Sequence, residues 1–273
     1  MNFYGRFFKM PVYRKLLVAS SKGGVGKSTT ALGLAAAFSA QDLKVLLIDF
    51  DGTSRSLDIL AGAEDMTTAD TADISPGSVP AVHPFDSLPC LSLVPACPPE
   101  RLASEAKKRD LTREEFLRAI IHDAFAADYD LFICDTGGGI DIAQAIADLF
   151  DMVLIPSEQS QTSIRASEYA ASSIGKNAPK IPMRLVICSF DLTAVKKENR
   201  AGVIEMIDAA ALQCAGVVPY DRKLQRAQDN GRLPPDNSLS RIAYRNIAKR
   251  LTGYDVPLFD GMKKLSGKRR AAF

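Results

Sequence analysis

A glycine-rich segment around Lys27 is the strongest chemical signal in the sequence. It reads Ser-Lys-Gly-Gly-Val-Gly-Lys-Ser-Thr-Thr over residues 21–30. Glycines let a backbone turn its N–H groups inward around phosphate oxygens, and a helix start adds positive potential. In such a loop Lys27 reaches the β and γ phosphates of a nucleotide and Ser28 ligates magnesium. The predicted nucleotide contacts are Gly23, Gly24, Val25, Gly26, Lys27, Ser28 and Thr29.

The loop needs a strand before it and a helix after it, and the hydrophobic pattern supplies both. Short β-branched or Leu-rich runs alternate with helical patterns, which is typical of βαβ units and a parallel sheet. We therefore expect a doubly wound α/β fold with a mostly parallel sheet of about seven or eight strands and helices on both faces. The predicted strands are 15–20, 45–49, 91–94, 130–135, 152–155, 184–189 and 216–218. The predicted helices are 27–40, 112–126, 142–149, 164–174, 199–211, 221–230 and 239–251.

Two ends and one internal segment depart from this rhythm. Seven prolines between residues 67 and 100 predict a surface excursion around one buried strand. Residues 1–14 form a basic, aromatic extension, residues 15–256 the α/β domain, and residues 257–273 a basic tail. No internal repeat is evident.

Composition indicates a cytosolic globular protein. The chain has 273 residues, of which 47% are hydrophobic and 24% charged, and no run of 18 apolar residues interrupts it. Five scattered cysteines without a CxxC pair predict free thiols and argue against a structural metal or an iron–sulfur cluster within one chain. Residues 1–15 carry four basic and no acidic groups, and residues 241–273 carry nine basic against two acidic. These basic ends favour a polyanion such as anionic lipid or nucleic acid, although solvated termini are often charged as well.

The second lysine of the loop, Lys22, distinguishes it from the strict GxxxxGK[ST] pattern, whose first glycine position is occupied by Ser21. With this lysine the segment resembles the deviant Walker A loop of the MinD/ParA family of P-loop ATPases. The resemblance implies ATP and Mg²⁺ as ligands and an ATP-dependent homodimer in which Lys22 crosses to the partner's nucleotide. Lys22 and Lys27 would then both serve hydrolysis.

The resemblance continues in two acidic segments. The run 45–51 is similar to the family's second strand and switch, which implies that Asp49 lies near magnesium and that Asp51 positions the attacking water. The run 131–135 is similar to a Walker B strand, which implies that Asp135 holds magnesium through water. The implied metal residues are Ser28, Asp49 and Asp135.

Near the end of the domain, Pro219 and Asp221 resemble the loop that closes over adenine in the MinD branch, although Asp221 would equally serve as a helix cap. Residues 157–167 correspond to a region near the dimer and partner surface of that branch. Thr136 followed by three glycines replaces the proline-containing turn usual after Walker B. We expect this loop to have more backbone freedom.

The tail carries apolar residues that would share one side of a helix. Leu258, Phe259, Met262 and Leu265 fall on that side, while lysines lie away from it. A membrane-binding amphipathic helix and a disordered basic tail are both open interpretations, and the aromatic N-terminal residues are a second, weaker anchor or simply pack on the domain.

The expected function is that of a slow, partner-stimulated, MinD-like ATPase whose ATP-dependent dimer attaches to a surface, most plausibly the inner face of the cell membrane. It would recruit a partner protein for spatial positioning such as selection of the division site. The alternative is a ParA-like partition ATPase that binds DNA nonspecifically, against which the acidic body of the domain argues. Metallocluster assembly and tyrosine kinase activity fit less well, because the chain lacks a CxxC pair and a terminal tyrosine cluster.

Overall fold

A computed structural model describes residues 12–66, 68–197 and 200–262. Its centre is a sheet of seven strands in the order β3-β2-β4-β1-β5-β6-β7, and every neighbouring pair is parallel. The strands are β1 Lys15–Val18, β2 Val45–Asp49, β3 Leu91–Val94, β4 Leu131–Asp135, β5 Met152–Ser157, β6 Met183–Phe190 and β7 Gln213–Pro219. The predicted fold class is therefore confirmed, with seven strands and no antiparallel member.

Helices connect the strands and cover both faces of the sheet. They are α1 Lys27–Ser39, α2 Ser56–Ala61, α3 Pro99–Lys108, α4 Arg113–Phe125, α5 Asp141–Ile146, α6 Gln161–Asn177, α7 Leu192–Lys197, α8 Val203–Ala210, α9 Arg222–Gln228 and α10 Leu239–Leu251. Three of them, α2, α3 and α7, were not predicted. Among the described residues no helix combines the length and the apolar character needed to cross a membrane.

Helix α3 shows why the proline pattern misled. The sequence interpretation treated Pro98 and Pro99 as breakers, but α3 begins at Pro99. Proline is well tolerated in the first turn of a helix, because its missing N–H would have no intrahelical partner there. The excursion around β3 is thus shorter than expected and ends in a helix that packs on the domain through Leu102 and Ala106.

The strands and helices bury a separate apolar core on each face of the sheet. Helices α1 and α10 pack on one face, and Tyr244 of α10 lies directly against Gly33 of α1. Helices α3, α4 and α5 cover the other face. All strands point their carboxyl ends to the same edge, and β1 lies between β4 and β5, so the loop after β1 emerges where the connections reverse direction. Parallel α/β sheets bind ligands at this kind of position.

The described start of the C-terminal tail packs two of its four candidate membrane-facing residues into the core. Residues 258–261 form turns, and Phe259 and Met262 are only 2% and 1% exposed because they pack into the core beside α10. Asn246 of α10 also donates a hydrogen bond to the Asp260 carbonyl oxygen over 2.8 Å. These two apolar side chains are therefore unavailable to a surface. The basic stretch 263–273, with Leu265, and the extension 1–11 lie outside the described residues.

Candidate functional site

The glycine-rich loop joins β1 to α1 and ends in a tight turn. Gly24 and Gly26 have φ values of 74° and 90°, and Gly26 is the residue that precedes α1. No side chain caps this helix, whose first N–H groups have no intrahelical partners. Val25 is buried and anchors the loop from below. The loop thus presents backbone donors at the carboxyl edge of the sheet, as a phosphate-binding loop requires.

Lys27 is buried at the base of the loop. The residue is only 7% exposed, and its ammonium nitrogen Nζ donates a hydrogen bond to the Lys22 carbonyl oxygen over 3.2 Å. Burial lowers the pKa of Lys27, while the charges of Asp135 and Asp51 oppose that change. The fold thus brings Lys27, Asp51 and Asp135 together at the base of the loop.

Lys22 is half-buried at the front of the loop and contacts a different element. Its Nζ donates to the Ser163 hydroxyl oxygen over 2.7 Å and lies 3.4 Å from the Thr162 hydroxyl oxygen, both in the first turn of α6. The Ser21 hydroxyl also donates to the Ala166 carbonyl oxygen of that helix over 2.8 Å. The front of the loop therefore rests on α6, whose N-terminus is capped by Ser160.

Asp135 is the carboxylate that fits a metal ion best. It is fully buried, and neither of its carboxylate oxygens has a hydrogen-bond partner among the described residues. Burial raises the pKa of Asp135 to about 7, against the opposing influence of the Ser28 hydroxyl and the Lys27 ammonium. Unpaired buried carboxylate oxygens are costly, and a divalent cation would satisfy them.

Asp49 is also fully buried, but its oxygens are already used. They accept hydrogen bonds from the Asp51 and Leu57 backbone N–H groups over 2.7 and 3.3 Å. Burial, with a further contribution from Asp135, raises the pKa of Asp49 well above its ordinary value. Its side chain shapes the loop between β2 and α2. No group of three or more His, Cys, Asp or Glu side chains suited to a metal occurs in the described part of the chain. A magnesium ion held by few protein ligands, phosphates and water is consistent with that finding.

Asp51 lies between its own loop and the glycine run after β4. Its carboxylate accepts from the Thr53 and Ser54 N–H groups, each over 3.2 Å, and from the Ser54 hydroxyl over 2.5 Å. A Cβ atom at Gly137 would lie 2.9 Å from a carboxylate oxygen of Asp51. This glycine therefore permits a close approach, a role that the expectation of backbone freedom did not include.

Two cavities flank the loop. The larger, of about 740 Å³, is lined by the loop, by Asp51 and its neighbours, and by Gly137, Gly138 and Gly139. The smaller, of about 240 Å³, lies on the other side of Gly24 and Gly26 and is lined by Thr29 and by the segment that follows β7. Together they offer a charged compartment for phosphates and a separate compartment for a base.

Pro219 and Asp221 both line the smaller cavity, but the Asp221 side chain has structural partners. It caps α9 by accepting from the Lys223 N–H over 2.9 Å, and its other oxygen accepts from the Ser240 N–H and hydroxyl over 3.0 and 2.8 Å. The helix-cap interpretation of Asp221 therefore holds in this structure, which leaves its backbone and Pro219 to face a ligand.

Several contributors were missed from the sequence. Thr162 and Ser163 fall within the predicted partner region 157–167, but their contact with Lys22, 140 residues or more away in the chain, was not predicted. Gln228 of α9 donates to the Thr29 hydroxyl oxygen over 3.1 Å and so links the last part of the domain to the loop. Arg113 lines the larger cavity. Among these contributors, only the residues at the serine-rich start of α6 had a local sequence signal, which is that of a helix N-cap.

A parallel α/β sheet with a strand, glycine-rich loop and helix, and with a buried lysine above a buried carboxylate, defines a P-loop nucleotide-binding protein. The sequence matches the family described as the CobQ/CobB/MinD/ParA nucleotide binding domain over residues 16–234. The chain belongs to this family, which confirms the resemblance in the loop.

Known proteins of the MinD type are similar to nearly the whole chain. The septum site-determining protein MinD of Synechocystis is 27% identical over 263 residues, which span 91% of this chain and 93% of that protein. The structure of the MinD cell division protein of Aquifex aeolicus is 25% identical and superposes with a TM-score of 0.70, covering 89% and 98% of the two chains. The MinC:MinD complex from the same organism gives a TM-score of 0.73 at 24% identity, with 89% and 97% covered.

Proposed function

We propose that the chain is a MinD-like ATPase that hydrolyses ATP slowly, dimerises when ATP is bound, and uses the dimer to hold a partner protein at a cellular surface. The observation that carries the proposal is the unequal placement of the two loop lysines. Lys27 is buried beside Asp51 and Asp135, whereas Lys22 is half-buried and its ammonium donates to hydroxyl groups of α6. Similarity to septum site-determining proteins supports positioning of the division site as the process served.

The residues of the larger cavity have distinct tasks in this proposal. Loop N–H groups and Lys27 bind the phosphates, and Ser28 with Asp135 and Asp49 surrounds the metal. Magnesium, when bound with ATP, neutralises charge on the β and γ phosphates. Asp51 accepts a hydrogen bond from a water molecule whose oxygen bonds to the γ-phosphorus.

The proposed reaction transfers the γ-phosphoryl group of ATP to water. As the new oxygen–phosphorus bond forms, the bond from the γ-phosphorus to the bridging oxygen breaks and its electron pair leaves with ADP. The proton of the water passes to the released phosphate. Such chemistry depends on positioning and electrostatic stabilisation. We expect unstimulated turnover on the order of 0.1 per second or less, well below an ordinary enzyme.

The proposed homodimer follows from where Lys22 lies. Its ammonium would have to leave Ser163 and Thr162 of α6 to reach a nucleotide, and a second subunit facing the loop offers one. A second lysine against a triphosphate compensates charge that one lysine and one metal ion leave. Helix α6 would then report the nucleotide state to a partner protein bound on its outer side. A protein partner is in keeping with the MinC:MinD complex of Aquifex aeolicus.

The proposed surface is an anionic membrane, reached by the basic stretch 263–273 and not by Phe259 or Met262, which belong to the core. Each lysine or arginine near an anionic surface contributes about 1 kcal/mol, so one copy binds weakly. Two copies joined in a dimer bind with higher avidity, because the second contact becomes intramolecular. Membrane attachment should therefore follow the nucleotide state.

A DNA surface is the second candidate, and the exposed side chains of α9 favour it. Arg222, Lys223 and Arg226 are all exposed on that helix next to the smaller cavity. Exposed cations of this kind can neutralise DNA phosphates, and such binding weakens steeply with salt.

The test compares both surfaces with the same protein. Wild type, a variant that ends at Met262, and the Arg222→Ala/Lys223→Ala/Arg226→Ala variant are sedimented with anionic vesicles and shifted with random duplex DNA, each with ADP and with a nonhydrolysable ATP analogue. The membrane proposal expects vesicle binding with the ATP analogue only, lost in the truncated variant and kept in the α9 variant. Equal binding with ADP and ATP analogue, or an unaffected truncated variant, overturns the tail as a nucleotide-gated anchor. Loss of DNA binding in the α9 variant alone would support the second candidate.

A further inference from the structure

The larger cavity extends well beyond the phosphate loop. Besides the loop, Asp51 and the glycine run, its wall includes the beginnings of three helices, α3, α4 and α5. The residues contributed there are Pro99, Leu102, Arg113, Asp141 and Ile142. Arg113 is the cation among them, and Asp141 is the acidic group at the same end. The wall of the cavity at these helix starts therefore carries a positive charge that the proposed ATP contacts do not use.

The Arg113 guanidinium has no hydrogen bond or ion pair with any other described residue, and its side chain is exposed. Its neighbours in sequence are engaged. Arg109 lies over the Phe116 ring at 4.5 Å, and Arg118 makes a bidentate contact with Asp148 in which both nitrogen–oxygen distances are 2.7 Å. Of these arginines only Arg113 is free to bind an anion, and the guanidinium fork suits a phosphate oxygen pair.

The fold fixes the backbone position of Arg113 without any contribution from its charge. It is the first residue of α4, and the Thr112 hydroxyl accepts from the Glu115 N–H over 3.2 Å while the Glu115 carboxylate accepts from the Thr112 N–H over 2.8 Å. This capping box holds the helix start rigidly. A cation at that end is disfavoured by the helix dipole, so Arg113 does not serve the stability of α4.

We propose that Arg113 binds the phosphate that ATP hydrolysis releases, as a phosphate-binding residue within the same subunit. The inference rests on the proposed ATPase function. Lys27 and the loop would hold the phosphates that remain with ADP, whereas Arg113 lines the same cavity from the start of α4. As the bond between the γ-phosphorus and the bridging oxygen breaks, the new phosphate carries the oxygen of the attacking water, and its negative oxygens become partners for the guanidinium.

The experiment measures binding of the separated products and their mimic. Arg113→Ala and Arg113→Lys are compared with the matched control Arg109→Ala, using ADP with aluminium fluoride, inorganic phosphate in the presence of MgADP, and a nonhydrolysable ATP analogue. Loss of a charge-assisted bidentate contact should weaken binding of aluminium fluoride and of phosphate by about 10- to 100-fold in Arg113→Ala. The ATP analogue should bind within about 2-fold of wild type, because its contacts lie elsewhere. Arg113→Lys should recover part of the loss, and Arg109→Ala should behave as wild type.

The outcomes separate the two proposals. If Arg113→Ala binds ADP with aluminium fluoride and phosphate as wild type does, while wild type hydrolyses ATP, this inference is overturned and the ATPase proposal stands. If the ATP analogue weakens as much as the product mimics, Arg113 belongs to ground-state binding and the inference is also overturned. A wild-type protein that binds no MgATP overturns both.

Discussion

The two lysines of the phosphate loop lie five residues apart in sequence but in different parts of the molecule. Lys27 starts α1 and is buried near Asp135 and Asp51. Lys22 precedes the turn and reaches outward to Ser163 of α6. Burial among opposite charges suits a residue that binds phosphate inside its own subunit, while a half-buried ammonium on neutral hydroxyl partners can be released at less cost. In the proposed mechanism position, rather than residue type, therefore divides the work between them.

Helix α1, which begins at Lys27, and helix α6, which Lys22 contacts, differ in the same way. Helix α1 is almost entirely buried between the sheet and α10. Helix α6 buries one side and exposes the other, including Arg165 and Glu168. Helix α1 is therefore held in place by packing, whereas α6 has an exposed face on which a second protein can bind.

The largest expected effect comes from Lys22. Lys22→Ala should keep nucleotide affinity, lose the dimer that forms with a nonhydrolysable ATP analogue, and lower turnover by at least about 10²-fold, because a charge that stabilises the transition state across the interface is missing. Light scattering and a phosphate-release assay measure both. Ser163→Ala, which removes only the resting partner of Lys22, should still dimerise. A Lys22→Ala protein that dimerises and hydrolyses as wild type does would end the cross-subunit interpretation.

Lys27→Ala should show the converse pattern, with a loss in MgATP affinity of about 10- to 100-fold from one charge-assisted contact. Calorimetry measures the dissociation constant. The control is Lys44→Ala, since Lys44 forms an ion pair with Asp128 over 2.6 Å and lies away from both cavities. Unchanged affinity in Lys27→Ala would contradict the assignment of this lysine to the phosphates.

Asp135 should make the protein without nucleotide and metal less stable at higher pH. Its pKa is raised to about 7 from the ordinary 3.8, so the folded state holds a proton that the unfolded state has released. Stability from this group is complete at low pH and declines as pH rises toward 7, by on the order of 2 kcal/mol between pH 5 and pH 8.

Denaturant unfolding at both pH values tests this sign. Asp135→Asn should reduce the decline and abolish magnesium-dependent ATP binding. Asp236→Asn is the control, because Arg241 lowers the pKa of Asp236 and that carboxyl is charged throughout the range. A protein that gains stability from pH 5 to pH 8 in the absence of ligands would contradict the account of Asp135.

The smallest expected effect is the change in unfolding free energy when one methyl group is added to each helix by a Gly→Ala substitution. In α1, a Cβ at Gly33 would lie 2.4 Å from the Tyr244 ring, so Gly33→Ala should cost about 1–3 kcal/mol through overpacking. In α6, the nearest atom to a Cβ at Gly175 is Met183 Cε at 3.7 Å, so Gly175→Ala should stabilise by about 0.5–1 kcal/mol through helix propensity. Urea unfolding measures both, and shifts of the same sign would show that the helices are packed alike.

Most of the fold and the phosphate loop could be predicted because their signals are local. Buried parallel strands are continuous apolar runs, and β2 and β3 were placed at their observed bounds from that pattern alone. The loop is equally local, since turn, donors and lysine all lie within residues 21–30.

What the sequence could not predict depends on contacts between distant segments. The partner of Lys22 lies in α6, and the close approach of Gly137 to Asp51 joins loops after two different strands. Phe259 and Met262 have a helical spacing that suits a membrane-binding helix, yet both side chains pack into the core beside α10. Periodicity identifies an apolar face but does not say what covers it.

The most direct test of the central claim mixes two inactive variants, Lys22→Ala and Asp51→Ala, each with a different affinity tag. If Lys22 acts across the interface and Asp51 within its own subunit, a mixed dimer contains one site with both groups. An equal mixture should then recover up to about a quarter of wild-type ATPase activity, because about half of randomly paired dimers are mixed and each has one complete site of two. Mixed dimers that co-purify in ATP but remain as inactive as the separate variants would contradict the account.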